Sequence, residues 1–416
     1  MKKRRVVITG LGIISPAGMD LDTFWQSTFK GENQTGLITK FDTSNFEVKI
    51  ASEIKEFNIG TYGFPFMLTR QLDDFTHYAL AASKCCLEDA GIDLDKANKN
   101  KIGVFIGNCL GGVKMGEREL FNLYRDGFEA VSPYQAISWF YTAPQGQISI
   151  RYKLKGFSKT FVADRISSDV AVGYAYKSIL LGRMEAGLVG GAEASISPYG
   201  FLGFMKSGVL SKRNKEPLTA YRPYNLDCDG TVLGEGSGML FIEELDHALA
   251  RNSQIYGEIT GFYTNNDGCH HNYPDDSGKG FQKVISGCME TAGLNPADID
   301  YINLDGIAIK ELDIIETNVL KRVFHAHSDR ISLSCPKVTF GHTFGAAGAM
   351  DLIINCLVVK HNTIPPTINY IHPYDDCNLD YTPNNPKSKE VKTAMQISRG
   401  RGGLNSAIII KRYNGR

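Results

Sequence analysis

The sequence predicts an α/β protein with a buried, largely parallel sheet, built as two successive halves of comparable design. Two observations carry that reading. Short apolar runs at residues 6–9, 102–106, 161–163 and 186–190 alternate with helical patterns, as strands joined by crossover helices do. A second series starts at residues 256–261, continues at 301–304 and finishes at 407–411. A chain of 416 residues is too long for one ordinary core, so the expected units are residues 1–250 and 251–416. The arrangement suggests internal duplication, although residue similarity between the halves is too slight to establish it.

Composition narrows the function. Basic and acidic residues balance at 45 each with no long single-sign run, which argues against nucleic acid or an anionic membrane as a general partner. Met1-Lys2-Lys3-Arg4-Arg5 before Val6-Val7-Ile8 imitates a signal peptide, but the apolar part is short and is broken by Thr9-Gly10. We read Val6 to Ile8 as the first buried strand, entering a turn at Gly10-Leu11-Gly12. No apolar run approaches the ~18 residues of a membrane span, and a cytoplasmic location is expected. The nine cysteines are odd in number, scattered and without a C-x-x-C pair, as in a reducing compartment. His270-His271 lies in a polar loop, and no metal site is expected.

An insert at residues 108–147 interrupts the first half. Residues 112–123 read as a helix with Val113, Gly116 and Leu120 on one face. Gly116 costs about 1 kcal/mol against Ala there, so something needs the space: a closely packed backbone, or a cavity or subunit contact. Trp139-Phe140-Tyr141 reads as core. Residues 161–163 form a strand and a small-residue helix (Ala171, Ala175, Ile179) opens after Ser167, leaving a sharp turn at 164–166 with Arg165 at its tip. Such a tip, aimed at a helix N-terminus, suits a nucleophile. A cation there opposes the helix dipole by roughly 0.3–1 kcal/mol. Residues 234–244 then lead from a loop into the strand that closes the first half.

From end to end the chain resembles ketosynthases of the thiolase fold. The resemblance rests on Val6-Val7-Ile8-Thr9-Gly10-Leu11-Gly12, Phe105-Ile106-Gly107, Gly190-Gly191-Ala192-Glu193-Ala194, Arg222-Pro223-Tyr224 through Gly230, Gly234-Glu235-Gly236, Pro336-Lys337, Gly341-His342 and Ile364-Pro365-Pro366-Thr367, in that order and spacing. It implies two duplicated α/β halves stacked as a five-layer α-β-α-β-α sandwich. In active members the position of Arg165 is the cysteine that carries the acyl chain, and that of Asp305 is a histidine that helps decarboxylate the malonyl unit. This double loss resembles the chain length factor, or ketosynthase β subunit, of type II polyketide synthases. The segments Gly116-Glu117-Arg118-Glu119-Leu120, Glu311-Leu312-Asp313 and Arg399-Gly400-Arg401-Gly402-Gly403 agree.

The resemblance implies a subunit that lacks the nucleophile itself, pairs with a catalytic ketosynthase α subunit across a sheet-edge interface, and sets the length of the poly-β-keto chain. Val113, Gly116 and Leu120 match the gate of the chain-length tunnel; their modest size implies a medium to long chain. Arg399 stands where active enzymes present an aromatic gate. The chain needs no cofactor of its own, since an acyl carrier protein presents phosphopantetheine. A basic patch for that acidic carrier is expected, with Lys212, Arg213 and Lys215 one candidate and a solvated loop the alternative. Two features depart from the family: chain length factors often have Gln at Arg165, and commonly lack the histidine retained here as His342. With Lys337 and Glu311, His342 forms a partial set that could steady a carboxylate or oxyanion; the alternative is an inherited residue hydrogen-bonded at a helix start. Decarboxylation of a malonyl carrier, or purely structural support of the ketosynthase, are the other functions implied. Arg165 and Asp305, opposite in charge, are expected to form a buried ion pair, with Asp164 as a further partner.

Overall fold

The computed structural model describes residues 4–270 and 274–415; Met1 to Lys3 and His271 of the motifs above lie outside them. The first half supplies strands β1 (Val6–Ile14), β2 (Ile102–Gly107), β3 (Lys159–Phe161), β4 (Ala186–Glu193) and β5 (Gly236–Glu244). The second supplies β6 (Gly257–Asn266), β7 (Tyr301–Asn303), β8 (Ser332–Ser334), β9 (Thr393–Gly400) and β10 (Leu404–Lys411). Their order across the sheet is β8-β7-β9-β10-β6-β1-β5-β4-β2-β3. Outward from the centre, the first half therefore reads 1-5-4-2-3 and the second 6-10-9-7-8, the same path. Pairing directions repeat too: β1/β5/β4 and β6/β10/β9 are antiparallel, whereas β4/β2/β3 and β9/β7/β8 are parallel, so the sheet is mixed rather than largely parallel as expected. Topology reveals the duplication that side chains conceal.

Helices complete the layers: α1 (Asp74–Ala90), α2 (Val113–Asp126), α3 (Ala143–Tyr152), α4 (Ser167–Leu180), α5 (Lys279–Ala292), α6 (Lys310–Phe324) and α7 (Ala347–His361). Helices α4 and α7 touch each other and strands of both halves, so they form a middle layer. Outside them, α1 covers β1, β5 and β4, and α5 covers β6 and β10. The two half-sheets are continuous, because Val6 to Ile8 of β1 pair antiparallel with Ile259 to Gly257 of β6. Helix α7 is apolar all round because it has sheet on both sides. Against the expectation that no apolar run approaches a span's length, Phe344–His361, with the turn before the helix, is apolar and long enough to cross a membrane; its burial marks it as a core helix.

Two local expectations are corrected. Gly10-Leu11-Gly12 is no turn, since β1 runs through it with a bulge between Ile8 and Gly10. The glycines let α1 approach: a Cβ on Gly10 would sit 2.5 Å from the Cys86 carbonyl oxygen, and one on Gly12 2.0 Å from that of Ala82. The strand expected at 161–163 lies at Lys159–Phe161, and it is the sheet's open edge, with Val162 exposed. Strands β8 and β9 were not foreseen, because buried polar residues such as Gln396 and Ser398 break the apolar pattern.

Gly12→Ala should therefore destabilise the protein by about 1–3 kcal/mol through overpacking, read as a lower urea midpoint with unchanged slope. A midpoint equal to the parent's would mean that α1 can move away at no cost.

Candidate functional site

The sharp turn exists where expected. β3 ends at Phe161, Asp164 takes a left-handed φ of 49°, and Asp164–Ile166 form one 3-10 turn leading into α4. Ser167 locks it, its Oγ accepting from the Ala163 N–H at 2.8 Å and donating to the Asp164 carbonyl at 2.7 Å. Arg165 is only 4% exposed, so this is not a surface turn.

A buried guanidinium requires compensation. Arg165 Nε donates to the Arg399 carbonyl oxygen at 2.5 Å and lies 3.9 Å from Asp164 Oδ2. Arg401 grips Asp164 from the other side: its Nε and Nη2 reach Oδ1 at 3.0 and 2.6 Å, and its N–H reaches Oδ2 at 2.7 Å. Burial alone would raise the Asp164 pKa, but the Arg165 charge and the Arg401 contacts hold it at about 2.

The pairing of Arg165 with Asp305 is corrected. Among the described residues no contact within ion-pair distance joins them; Asp305 turns to Arg399, accepting its N–H at Oδ1 at 3.1 Å, with Arg399 Nε 3.7 Å from Oδ2. Arg399 also donates through Nη2 to the Leu312 carbonyl at 2.7 Å, and its guanidinium lies over the Phe281 ring. Glu316, 3.9 Å from Arg399 Nη2, accepts the Asp305 N–H at 2.9 Å and the Tyr224 hydroxyl at 2.9 Å. Burial opposes ionisation of Asp305, yet the Arg165 and Arg399 charges keep its pKa below the usual range. Expectation and structure agree that the pocket holds opposed charges, but they differ on the partners. Asp305 lies just past β7, which pairs with β9, and so meets Arg399 near the end of β9.

The set of His342, Lys337 and Glu311 is not assembled. Lys337 is buried against Asp351 at 3.0 Å and donates to the Leu304 and Asp305 carbonyls, so its charge is spent. His342 accepts the Phe344 N–H at Nδ1, 3.1 Å away, the helix-start bond named as an alternative, which places its proton on Nε2. Burial, with the Lys337 charge, lowers its pKa to about 3, so the ring is neutral. Glu311 lies apart, exposed at the rim of a cavity.

That cavity, about 820 Å³, has Arg165 and Arg401 in its lining with Val209, Ile309, Leu312 and Ile315. Sequence reading took Arg399 as the gate and missed Arg401. The structure directs Arg399 inward to Asp305 and sets Arg401 at the cavity; the signal available was a second arginine across Gly400. The nearby thiol of Cys109 lies 3.6 Å from Asp164, and burial, with the Glu193 and Asp164 charges, pushes its pKa well up. It is a protonated core residue, not a substitute nucleophile. Among the described residues no cluster could hold a metal ion.

The remaining residues occupy the insert. Val113 and Gly116 are buried and Leu120 is 40% exposed. Gly116 faces the Trp139 ring, which a Cβ would approach at 3.1 Å, so its smallness serves a side-chain contact. Trp139, Phe140 and Tyr141 are exposed rather than core. In the basic run, Lys212 pairs with Glu47 at 2.9 Å and Arg213 with Asp227 at 3.0 Å, leaving little unneutralised charge there.

Comparison with known proteins accounts for this architecture. The β-ketoacyl synthase N-terminal domain matches residues 3–248 and its C-terminal domain residues 256–371. A 3-oxoacyl-(acyl-carrier-protein) synthase 2 of Coxiella burnetii is 35% identical over 412 residues, 99% of both chains. One from Synechocystis sp. is 34% identical over 413 residues, again 99% of each. Among solved structures, the ishigamide ketosynthase/chain length factor is similar at 28% identity with a TM-score of 0.92, covering 99% of this chain and 100% of that one. A type II PKS acyl-carrier protein in complex with its ketosynthase bound to the hexaketide matches with the same score and coverage at 25% identity. The fold is the thiolase-like ketosynthase fold.

Asp164→Asn leaves Arg165 buried without its neighbouring carboxylate and should cost about 3–5 kcal/mol. The folded-state pKa lies below the ordinary 3.8, so this stabilisation is fully present above that pH and lost as pH falls toward 2. The gap in urea midpoint between parent and variant should stay constant from about pH 5 to 8 and shrink below about pH 4. A gap that instead grows on acidification would refute the assignment.

Proposed function

Because the chain belongs to the β-ketoacyl synthase family, we propose that it is the non-condensing partner of a ketosynthase in a type II polyketide synthase, shaping the space into which the partner's acyl chain grows. The carrying observation is the buried Arg165 at the turn tip, fixed by Asp164 and the Arg399 carbonyl, with Asp305 committed to Arg399. A guanidinium cannot form a thioester, and Asp305 stands where the resemblance implies a histidine, although His342 is kept. The curated relatives are named as synthases, so the reading departs from theirs on the strength of this site.

Support for a partner comes from the edge of the sheet. β3 pairs on one side only and presents unmatched backbone groups on the other. The insert also exposes large apolar side chains, with Tyr124 at 86% and Phe128 at 78%, and Ile150 just after it is 69% exposed. A face of this kind marks a protein interface. α2 belongs to the same insert, so its Val113, Gly116 and Leu120 face is our candidate for the chain-length gate, reached from the partner's side. An acyl carrier protein would bring phosphopantetheine-linked units to the pair. Decarboxylation through His342 and Lys337 has less support, because neither is among the described residues lining the cavity at Arg165.

Co-expression with a ketosynthase encoded beside it, followed by native mass spectrometry, should give a one-to-one heterodimer that elongates while neither subunit elongates alone. In the reconstituted synthase, Leu120→Phe should shorten the product; Gly116→Phe would strike Trp139 and is the poorer test. Unchanged product length with Leu120→Phe would remove the gate assignment. A homodimer that releases carbon dioxide from a malonyl carrier unaided would overturn the silent-partner reading.

A further inference from the structure

Arg165 offers five N–H donors and spends one, the Nε bond to the Arg399 carbonyl. Among the described residues neither Nη atom has a hydrogen-bond partner, although the side chain is 5% exposed and lines the cavity. No nearby carboxylate hydrogen-bonds to these Nη atoms. Both Asp164 oxygens accept from Arg401, and Asp305 faces Arg399. These Nη groups open onto the cavity, and a planar fork of this kind matches a carboxylate bidentately.

The rest of the cavity defines what carries that carboxylate. Val209, Ile309, Leu312 and Ile315 give the cavity an apolar wall, which Ser207, Cys269 and His270 share. Its exposed rim bears Glu311 and Asp276, with Asp275 beside them. Acidic groups at the rim repel a polyanion, while one negative charge at depth meets Arg165 and Arg401. We propose that the cavity binds an aliphatic monocarboxylate reversibly, with its head on the Arg165 Nη pair beside Arg401 and its chain along Ile309, Leu312 and Ile315. The association is non-covalent. The site needs no ketosynthase partner to explain it, and so stands or falls separately from the heterodimer.

Calorimetric titration of the full chain, in whatever assembly it purifies, tests this with octanoate, octanamide, inorganic phosphate and malonyl pantetheine. Octanoate should bind at least about tenfold more tightly than octanamide or phosphate, the loss expected when a charged hydrogen-bonded pair becomes neutral or mismatched. Arg165→Gln should abolish the preference for octanoate over octanamide, and Ile315→Glu should abolish octanoate binding with Arg165 in place. The comparison of ligands on the parent protein decides the matter even if Arg165→Gln fails to fold. Equal binding of octanoate and octanamide, or no octanoate binding at millimolar concentration, would overturn the proposal. Tighter binding of malonyl pantetheine than of octanoate would overturn the assignment of the walls to an aliphatic chain.

Discussion

The structure around the old pocket depends on the compensation of one buried cation. Arg165 stands on a turn whose geometry is fixed by a left-handed Asp164 and by Ser167, and it is enclosed between the two halves of the chain. An unpaired guanidinium there would carry a penalty of several kcal/mol. Asp164 precedes it in the first half, whereas the Arg399 carbonyl and the Arg401 guanidinium come from the end of β9 and the residues after it, in the second. The network that makes Arg165 tolerable therefore also ties the start of α4 to the β9–β10 hairpin. Arg399, between them in sequence, turns its own charge to Asp305 and Glu316.

These commitments explain why the site is more than an active site with two residues exchanged. In a reactive arrangement, donors must be free to meet charge as it develops. Here Lys337 is held by Asp351 and two carbonyls, and neutral His342 is pinned through Nδ1. At the cavity wall the Nη atoms of Arg165 have no hydrogen-bond partner among the described residues, and they can bind but cannot attack. Restoring a cysteine at the turn would leave Arg399 and Asp305 locked together across from it.

Much of the fold was legible because apolar runs and their alternation with helical patterns survive in β1, β2, β4 and β10. The duplication was legible only as two similar series, since it resides in strand order, and short strands such as β7 and β8 carry too few residues to advertise it. Gly10 and Gly12 misled because a glycine pair marks a turn or a close helix contact equally well, and sequence does not say which. At the site, the turn and its cation could be read directly. Their partners could not: the choice between Arg165–Asp305 and Arg399–Asp305 is made by where β9 ends, a three-dimensional fact. Trp139 to Tyr141 misled for the opposite reason, since apolar residues at an interface resemble a core until the chain is folded.

The open edge and the closed site have to be understood together. An isolated chain leaves Tyr124, Phe128 and Ile150 in water and one edge of β3 without a neighbouring strand, features that association relieves. A second copy of the same chain could cover that face. Such a pair would bring together two Arg165 turns and no thiol at either, so nothing could hold a growing acyl chain. On the proposed reading, a partner of the same fold with a cysteine at this turn would cover that surface and supply the nucleophile. On the proposed reading the two features are complementary: the edge supplies the affinity, and the filled pocket ensures that acylation takes place in one subunit only.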